Sequence, residues 1–159
     1  MIEPKRKAKV GVNRSEVFAF RMDPRMKYLS ELAARRQRRS LANFIECAVE
    51  TALQETRVGD GESLLFQGKK LWDLYPSDRL LNLAEHYPDL LTYDEQLIVR
   101  VIQDHLYFSK KKKKISFWNT DGEIDRAMVR ALWAEITEYA AGGTSENLNQ
   151  AMIEWDEEP

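Results

Sequence analysis

The chain has 159 residues, 43% of them hydrophobic, which is enough for one ordinary domain or two small ones with a real core and excludes a wholly disordered polymer. It has no run of 18 apolar residues, and no apolar stretch follows the charged start from Met1 to Lys9; neither a membrane span nor a signal peptide is expected, and a cytoplasmic location is. The net charge of −2 conceals a division: residues 1–60 carry 13 Lys and Arg against 8 Asp and Glu (+5), whereas residues 61–159 carry 11 against 18 (−7), so a polyanionic partner is expected for the first part alone.

Residues 1–14 hold Lys5, Arg6, Lys7, Lys9 and Arg14 with too few apolar side chains to pack, which predicts a flexible basic arm. From Glu16 to Met22 the apolar Phe18, Phe20 and Met22 alternate with Val17, Ala19 and Arg21, the period of a short strand with one buried face. Asp23-Pro24 then predicts a helix start, because aspartate accepts from orphan amides and proline at the first position lacks an N–H that would be unpaired anyway. The helix should run from Pro24 to about Arg36, with Tyr28, Leu29, Leu32 and Ala33 on one stripe. Ser40 caps a second helix, Leu41 to about Glu55, whose Leu41, Phe44, Ile45, Ala48, Val49, Ala52 and Leu53 share a face; this is the clearest periodicity in the chain.

Gly59-Asp60-Gly61 ends that helix, and residues 58–62 read as a linker between a module at 15–57 and a helical C-terminal domain at 63–159. Helices are expected there at about 63–74, 78–86, 93–107, 123–141 and 146–154, with Thr92 and Glu95 as a capping box and Gly142-Gly143 as a stop. Lys110 to Lys114, beside Phe108, Phe117 and Trp118, read as a solvated connector leading into a brief extended segment at 115–118. Trp72, Trp133 and Trp155 are assigned to the core, His86 and His105 to polar positions on the surface or in the core, and Cys47 to the edge of the helical core.

One cysteine and two histidines leave too few ligands for a metal site, so no metal and no cofactor are expected. No nucleophile with a base and an orienting partner, no phosphate-cradling glycine loop and no paired carboxylates are recognisable, so the chain does not read as an enzyme.

A lone strand leaves its backbone amides and carbonyls unpaired, and one strand with two amphipathic helices in about 40 residues is too small for a stable monomer. The economical partner is the same strand of a second copy, antiparallel about a two-fold axis, giving a dimer core of Phe18, Phe20, Met22, Leu41, Phe44, Ile45, Ala48 and Val49. The run from Val17 to Arg25, then Leu29 and Leu32 to Arg36, then Ser40 to Ile45, resembles the ribbon-helix-helix repressors and the related antitoxins. The resemblance implies a mainly α fold, with an N-terminal ribbon-helix-helix module joined to an all-α C-terminal domain.

It also implies that the paired ribbon enters the major groove of double-stranded DNA, with Val17, Ala19 and Arg21 as base readers, of which Arg21 is the hydrogen-bonding one and the other two suit thymine methyl groups. Phosphate would be held at the start of the second helix by Ser40, Leu41, Ala42 and Asn43, with Arg38, Arg39 and the arm residues Lys5, Arg6, Lys7 and Lys9 nearby. Many relatives have glycine in the turn between the helices, where this chain has Gln37-Arg38-Arg39; a side chain in a left-handed turn costs about 1 to 2 kcal/mol.

The function this implies is a sequence-specific, nucleoid-associated DNA-binding homodimer, a repressor or autoregulator, with a C-terminal domain for a protein partner or further oligomerisation. The alternatives are an antitoxin, a plasmid-partition or conjugal-transfer accessory protein, and a pure interaction module whose first segment only dimerises.

Overall fold

The computed structural model describes residues 18–59, 61–105, 108 and 124–157, and the expectations for the basic arm, Val17, the five-lysine run and the segment at 115–118 fall outside them. Over the described residues the protein is mainly helical with one small antiparallel sheet, and it divides into two compact units between Ala52 and Leu53. None of the described helices is long and apolar enough to cross a membrane.

The first unit contains α1 (Pro24–Arg36) and most of α2 (Leu41–Glu55), the two predicted helices with their predicted ends. Asp23 caps α1, its carboxylate accepting from the Arg25 and Met26 amides at 2.9 and 3.2 Å with Pro24 at the first position. Residues 18–23 form neither helix nor strand within the single chain.

The second unit opens with a hairpin where a linker was expected. β1 (Arg57–Val58) pairs antiparallel with β2 (Glu62–Ser63), Arg57 opposite Ser63 and Val58 opposite Glu62. Gly59 and Gly61 take positive φ in the turn, and a Cβ on Gly59 would stand 2.9 Å from the Tyr87 ring, so both conformation and space require glycine there. Ser63 then caps α3 (Leu64–Leu71) by accepting from the Phe66 amide. That helix stops short of its predicted end because Asp73 turns the chain, accepting from the Tyr75 amide, and the residue before Pro76 is extended.

Pro76 begins α4 (Pro76–His86), two residues earlier than expected, with proline at the first helical position as the overlooked signal. A 3-10 turn (Pro88–Leu90) leads to α5 (Tyr93–Asp104), which carries the Thr92–Glu95 capping box. The single helix expected at 123–141 is two, α6 (Arg126–Ala131) and α7 (Trp133–Ala140), bent at Leu132 while the Leu132 and Ile136 amides still bond four residues back. Finally α8 (Ser145–Glu157) follows Gly142-Gly143.

The core lies between α4, α5, α6, α7 and α8, around Leu81, Ile102, Val129, Ile136, Leu148 and Met152. Phe108, which in sequence lies beside the charged run, belongs to this core, fully buried; that neighbouring run says nothing of where its ring packs. Trp133 and Trp155 pack against the core as expected, whereas Trp72 is 64% exposed beyond the end of α3, a correction.

Asp78, in the first turn of α4, is 1% exposed and binds two arginines of α6. Arg130 Nε donates to one carboxylate oxygen and Arg126 Nη1 to the other at 3.1 Å; Arg126 also reaches Asn82 and Glu85. Burial alone would raise the Asp78 carboxyl, but the hydrogen bonds and charge of Arg130 and Arg126 outweigh it and hold it below the usual aspartate range.

A carboxyl held low in the folded state stabilises it above the unfolded-state pKa of about 3.9 and loses that contribution as pH falls further. Urea unfolding followed at Trp133 and Trp155 should therefore show a stability loss below about pH 4 that is smaller in Asp78→Asn. At neutral pH Asp78→Asn should cost about 2 to 3 kcal/mol, short of the full penalty for a broken buried pair because both guanidiniums remain partly in water.

Candidate nucleic-acid interface

The residues between the two N-terminal helices are fixed by backbone bonds of one kind. The Arg39 amide donates to Ala34 O at 2.9 Å and the Arg38 amide to Arg35 O at 3.0 Å, the pair of bonds that makes a Schellman closure, with Arg38 at its left-handed position, φ 56°. The protein contains the same closure again after α7. There the Gly143 amide donates to Glu138 O and the Gly142 amide to Tyr139 O, and the left-handed residue is Gly142, φ 97°. One helix thus ends with the residue type this geometry favours and the other with an arginine that is strained in it.

Two residues after the strained Arg38, Ser40 caps α2, its hydroxyl accepting from the Asn43 amide at 3.2 Å and its carbonyl from the Phe44 amide at 2.9 Å. The amides of Leu41 and Ala42 precede the first intrahelical bond, so by helix geometry they have no acceptor of their own. Ser40, Ala42 and Asn43 are exposed, and Leu41 is half-buried. The turn therefore presents two orphan donors and the positive end of a helix dipole, flanked by Arg35, Arg36, Arg38 and Arg39. Arg39 is engaged within the chain, donating from Nη1 to Cys47 Sγ at 2.9 Å across one face of α2. Cys47 is half-buried, at the margin where it was expected.

Of the base readers expected from the sequence, Val17 lies outside the described residues while Ala19 and Arg21 are exposed; Lys5, Arg6, Lys7 and Lys9 also lie outside. Among the expected dimer-core residues, Phe18 is 85% and Phe20 53% exposed, their rings 5.9 Å apart, and Val49 and Ala48 are exposed as well. Met22, Phe44 and Ile45 are half-buried. The α1 stripe behaves in the same way, with Tyr28, Leu29 and Leu32 open to solvent in the single chain. Among the described residues of the first unit, Ala34 alone is buried.

Elsewhere, no group of three or more His, Cys, Asp or Glu among the described residues is placed to hold a metal. A cleft of about 380 Å³ between α5 and α7 takes in the His105 ring, edge-on to Tyr139 at 5.9 Å, and its lining includes no serine, cysteine or lysine. His86 is exposed, with Nδ1 3.0 Å from Asn82 O. The Asp78 pairing was missed by sequence reasoning; its signal was Arg126 and Arg130 four residues apart, which places both on one face of α6.

No protein-family model matches the sequence, and no curated protein or solved structure matches it either.

Arg38→Gly isolates the cost of the turn. Removing the side chain relieves about 1 to 2 kcal/mol of left-handed strain and returns about 0.5 to 1 kcal/mol as extra unfolded-state entropy. The variant should be more stable by about 0.5 to 1 kcal/mol in denaturant unfolding of the first unit, while Gly142→Arg should destabilise the second.

Proposed function

We propose that the first unit is a ribbon-helix-helix module that binds double-stranded DNA as a homodimer, and that the protein is a repressor or autoregulator of transcription. The observation that carries this reading is the burial deficit of residues 18–52: apolar side chains at ribbon and helix positions are set out in a regular pattern, yet a single chain leaves most of them in water. An apolar face of that extent is the mark of an unfinished interface. A second copy, pairing residues 16–22 of both chains and interlocking both α2 helices, would cover Phe20, Val49 and Leu29 together.

The paired ribbon would fit the major groove with Arg21 directed at base edges. The amides at the start of α2, with Ser40, Asn43 and Arg38, would hold a phosphate on either side and fix the register. A strained arginine beside such a site favours the reading, since strain persists where another interaction offsets it.

A second unit with its own core supports a regulator with a folded partner-binding or oligomerising domain over an antitoxin whose C-terminal half is a short disordered segment. A role in plasmid partition or conjugal transfer would use the same module and differ in the arrangement of sites on DNA.

Selection of bound duplexes followed by gel shift at several salt concentrations tests the reading. Log affinity should fall linearly with log salt, by a slope near 0.9 for each phosphate neutralised; a flat response would instead identify a module that only dimerises. Arg21→Ala should cost about 1 to 3 kcal/mol on the selected site and relax its preference, while Arg38→Ala should weaken every duplex alike. Unchanged binding of the selected site by Arg21→Ala overturns the readout assignment. Phe20→Asp should abolish dimerisation and DNA binding together, as read by sedimentation and gel shift.

A further inference from the structure

The second unit has a surface that neither its core nor the proposed DNA contact uses. Phe66 in the first turn of α3, and Trp72 and Tyr75 in the turn from α3 to α4, are all more than half exposed, and Leu74 between the last two is too. Arginines stack on two of these rings: Arg79 lies 4.7 Å above Trp72, and Arg130 4.7 Å above Tyr75. Lys69 and Lys70 are exposed one turn before.

Charge is segregated around this patch. Among the described residues after Gly61 the basic side chains are Lys69, Lys70, Arg79, Arg100, Arg126 and Arg130, and all but Arg100 lie on α3, α4 or α6; Arg126 and Arg130 are paired with Asp78 and the half-buried Asp73 sits in the turn, so the patch's own positive charge is that of Lys69, Lys70 and Arg79. The rest of the unit is acidic. Helix α8 in particular buries Leu148 and Met152 and turns outward Glu146, Gln150, Ile153 and Glu154, an acidic stripe with one large apolar side chain, more than half exposed, at its centre. Within the unit α3 packs on α4 and β2, and α8 packs on α7.

We infer that the aromatic and basic face of α3–α4 is an association surface for a second copy of this chain, which it engages through the outward acidic stripe of α8. Exposed Trp, Tyr and Arg are the residue types that anchor protein interfaces, and Lys69, Lys70 and Arg79 face a stripe of opposite sign. Two such contacts related by a two-fold axis close into a pair; without that axis the contact propagates. A nucleic-acid strand fits less well, since the faces of Trp72 and Tyr75 that bases would stack on are already partly taken by guanidiniums and the unit around them is acidic. The inference does not depend on the ribbon-helix-helix reading, because no residue of the first unit takes part.

Sedimentation velocity of the full chain over a range of concentrations, at low and high salt, is the test. The wild-type chain is expected to form a salt-sensitive species of about twice the mass of that formed by the double variant Lys69→Glu, Lys70→Glu. The reverse swap, Glu146→Lys with Glu154→Lys, should show the same loss, and the two variants mixed should recover the larger species. Circular dichroism melting verifies that each variant is folded, and Phe20→Asp added to either background reports the first unit's dimer separately. Equal mass for wild type and both charge variants under all conditions overturns the inference. So does a loss of DNA affinity in Lys69→Glu, Lys70→Glu with no change of mass, which would assign the patch to nucleic acid.

Discussion

Apolar side chains on two helices need a larger apolar surface than the helices can offer each other, and that constraint governs the first unit. Residues 18–52 carry Phe18, Phe20, Tyr28, Leu29, Leu32, Phe44, Ile45 and Val49 at strand and helix periods, yet only Ala34 among their described neighbours is buried. Each large side chain brought out of water contributes about 1.5 to 3 kcal/mol, while each ordered residue costs about 1 to 2 kcal/mol of backbone entropy. With so many of those side chains exposed, the first sum cannot meet the second in one chain. The second unit meets it internally, because α4 to α8 enclose Ile102, Phe108, Val129, Ile136 and Leu148 completely.

The two Schellman closures permit a comparison inside one protein. After α7 the left-handed position is Gly142, and Gly143 follows where a Cβ would come within 2.7 Å of Glu138 O. That closure is set by the local backbone, since a Cβ on Gly142 would meet nothing and the Gly143 contact is with the carbonyl its own amide bonds. After α1 the same backbone path is taken by Arg38, held there by the Arg38 and Arg39 amide bonds to Arg35 O and Ala34 O, while its guanidinium has no hydrogen bond or ion pair among the described residues. The exposed side chain of Arg38 is thus left without a partner among the described residues, two positions before the Ser40 cap of α2.

Local chemistry was the part of the fold most legible from residues alone. Asp23-Pro24, Ser40, the Thr92–Glu95 box and Gly142-Gly143 each mark a helix end by a bond to a specific amide or by a specific φ, and these bonds are present. Tertiary placement was less legible. Phe108 sits in sequence next to five lysines and in space within the core; Trp72 has the composition of a core residue and the exposure of a surface one. The hairpin at 57–63 was hidden because its strands are two residues long, too short to show alternation. Of the candidate site, the cap at Ser40 could be read directly, but the conversion of Gln37-Arg38-Arg39 into a left-handed closure depends on backbone bonds to Ala34 and Arg35 that no side-chain pattern announces.

Arginine serves opposite purposes in the two units. Arg126 and Arg130 are committed to Asp78, and their charge is spent on an internal carboxylate that could not otherwise stay ionised at 1% exposure. Among the described residues of the first unit no arginine has a carboxylate partner; Arg39 donates only to a sulfur, which is a weak acceptor and leaves the charge uncompensated. Uncompensated guanidiniums crowded at the end of α1 repel one another at some cost to the fold. The helix dipole recovers part of that cost, since cations are favoured at a helix C-terminus by about 0.3 to 1 kcal/mol each, but four in five residues exceed what one dipole can accommodate within its last turn. In the proposed DNA complex the same cluster would meet a polyanion, where each guanidinium that contacts a phosphate releases a counterion and the mutual repulsion becomes attraction to a common partner.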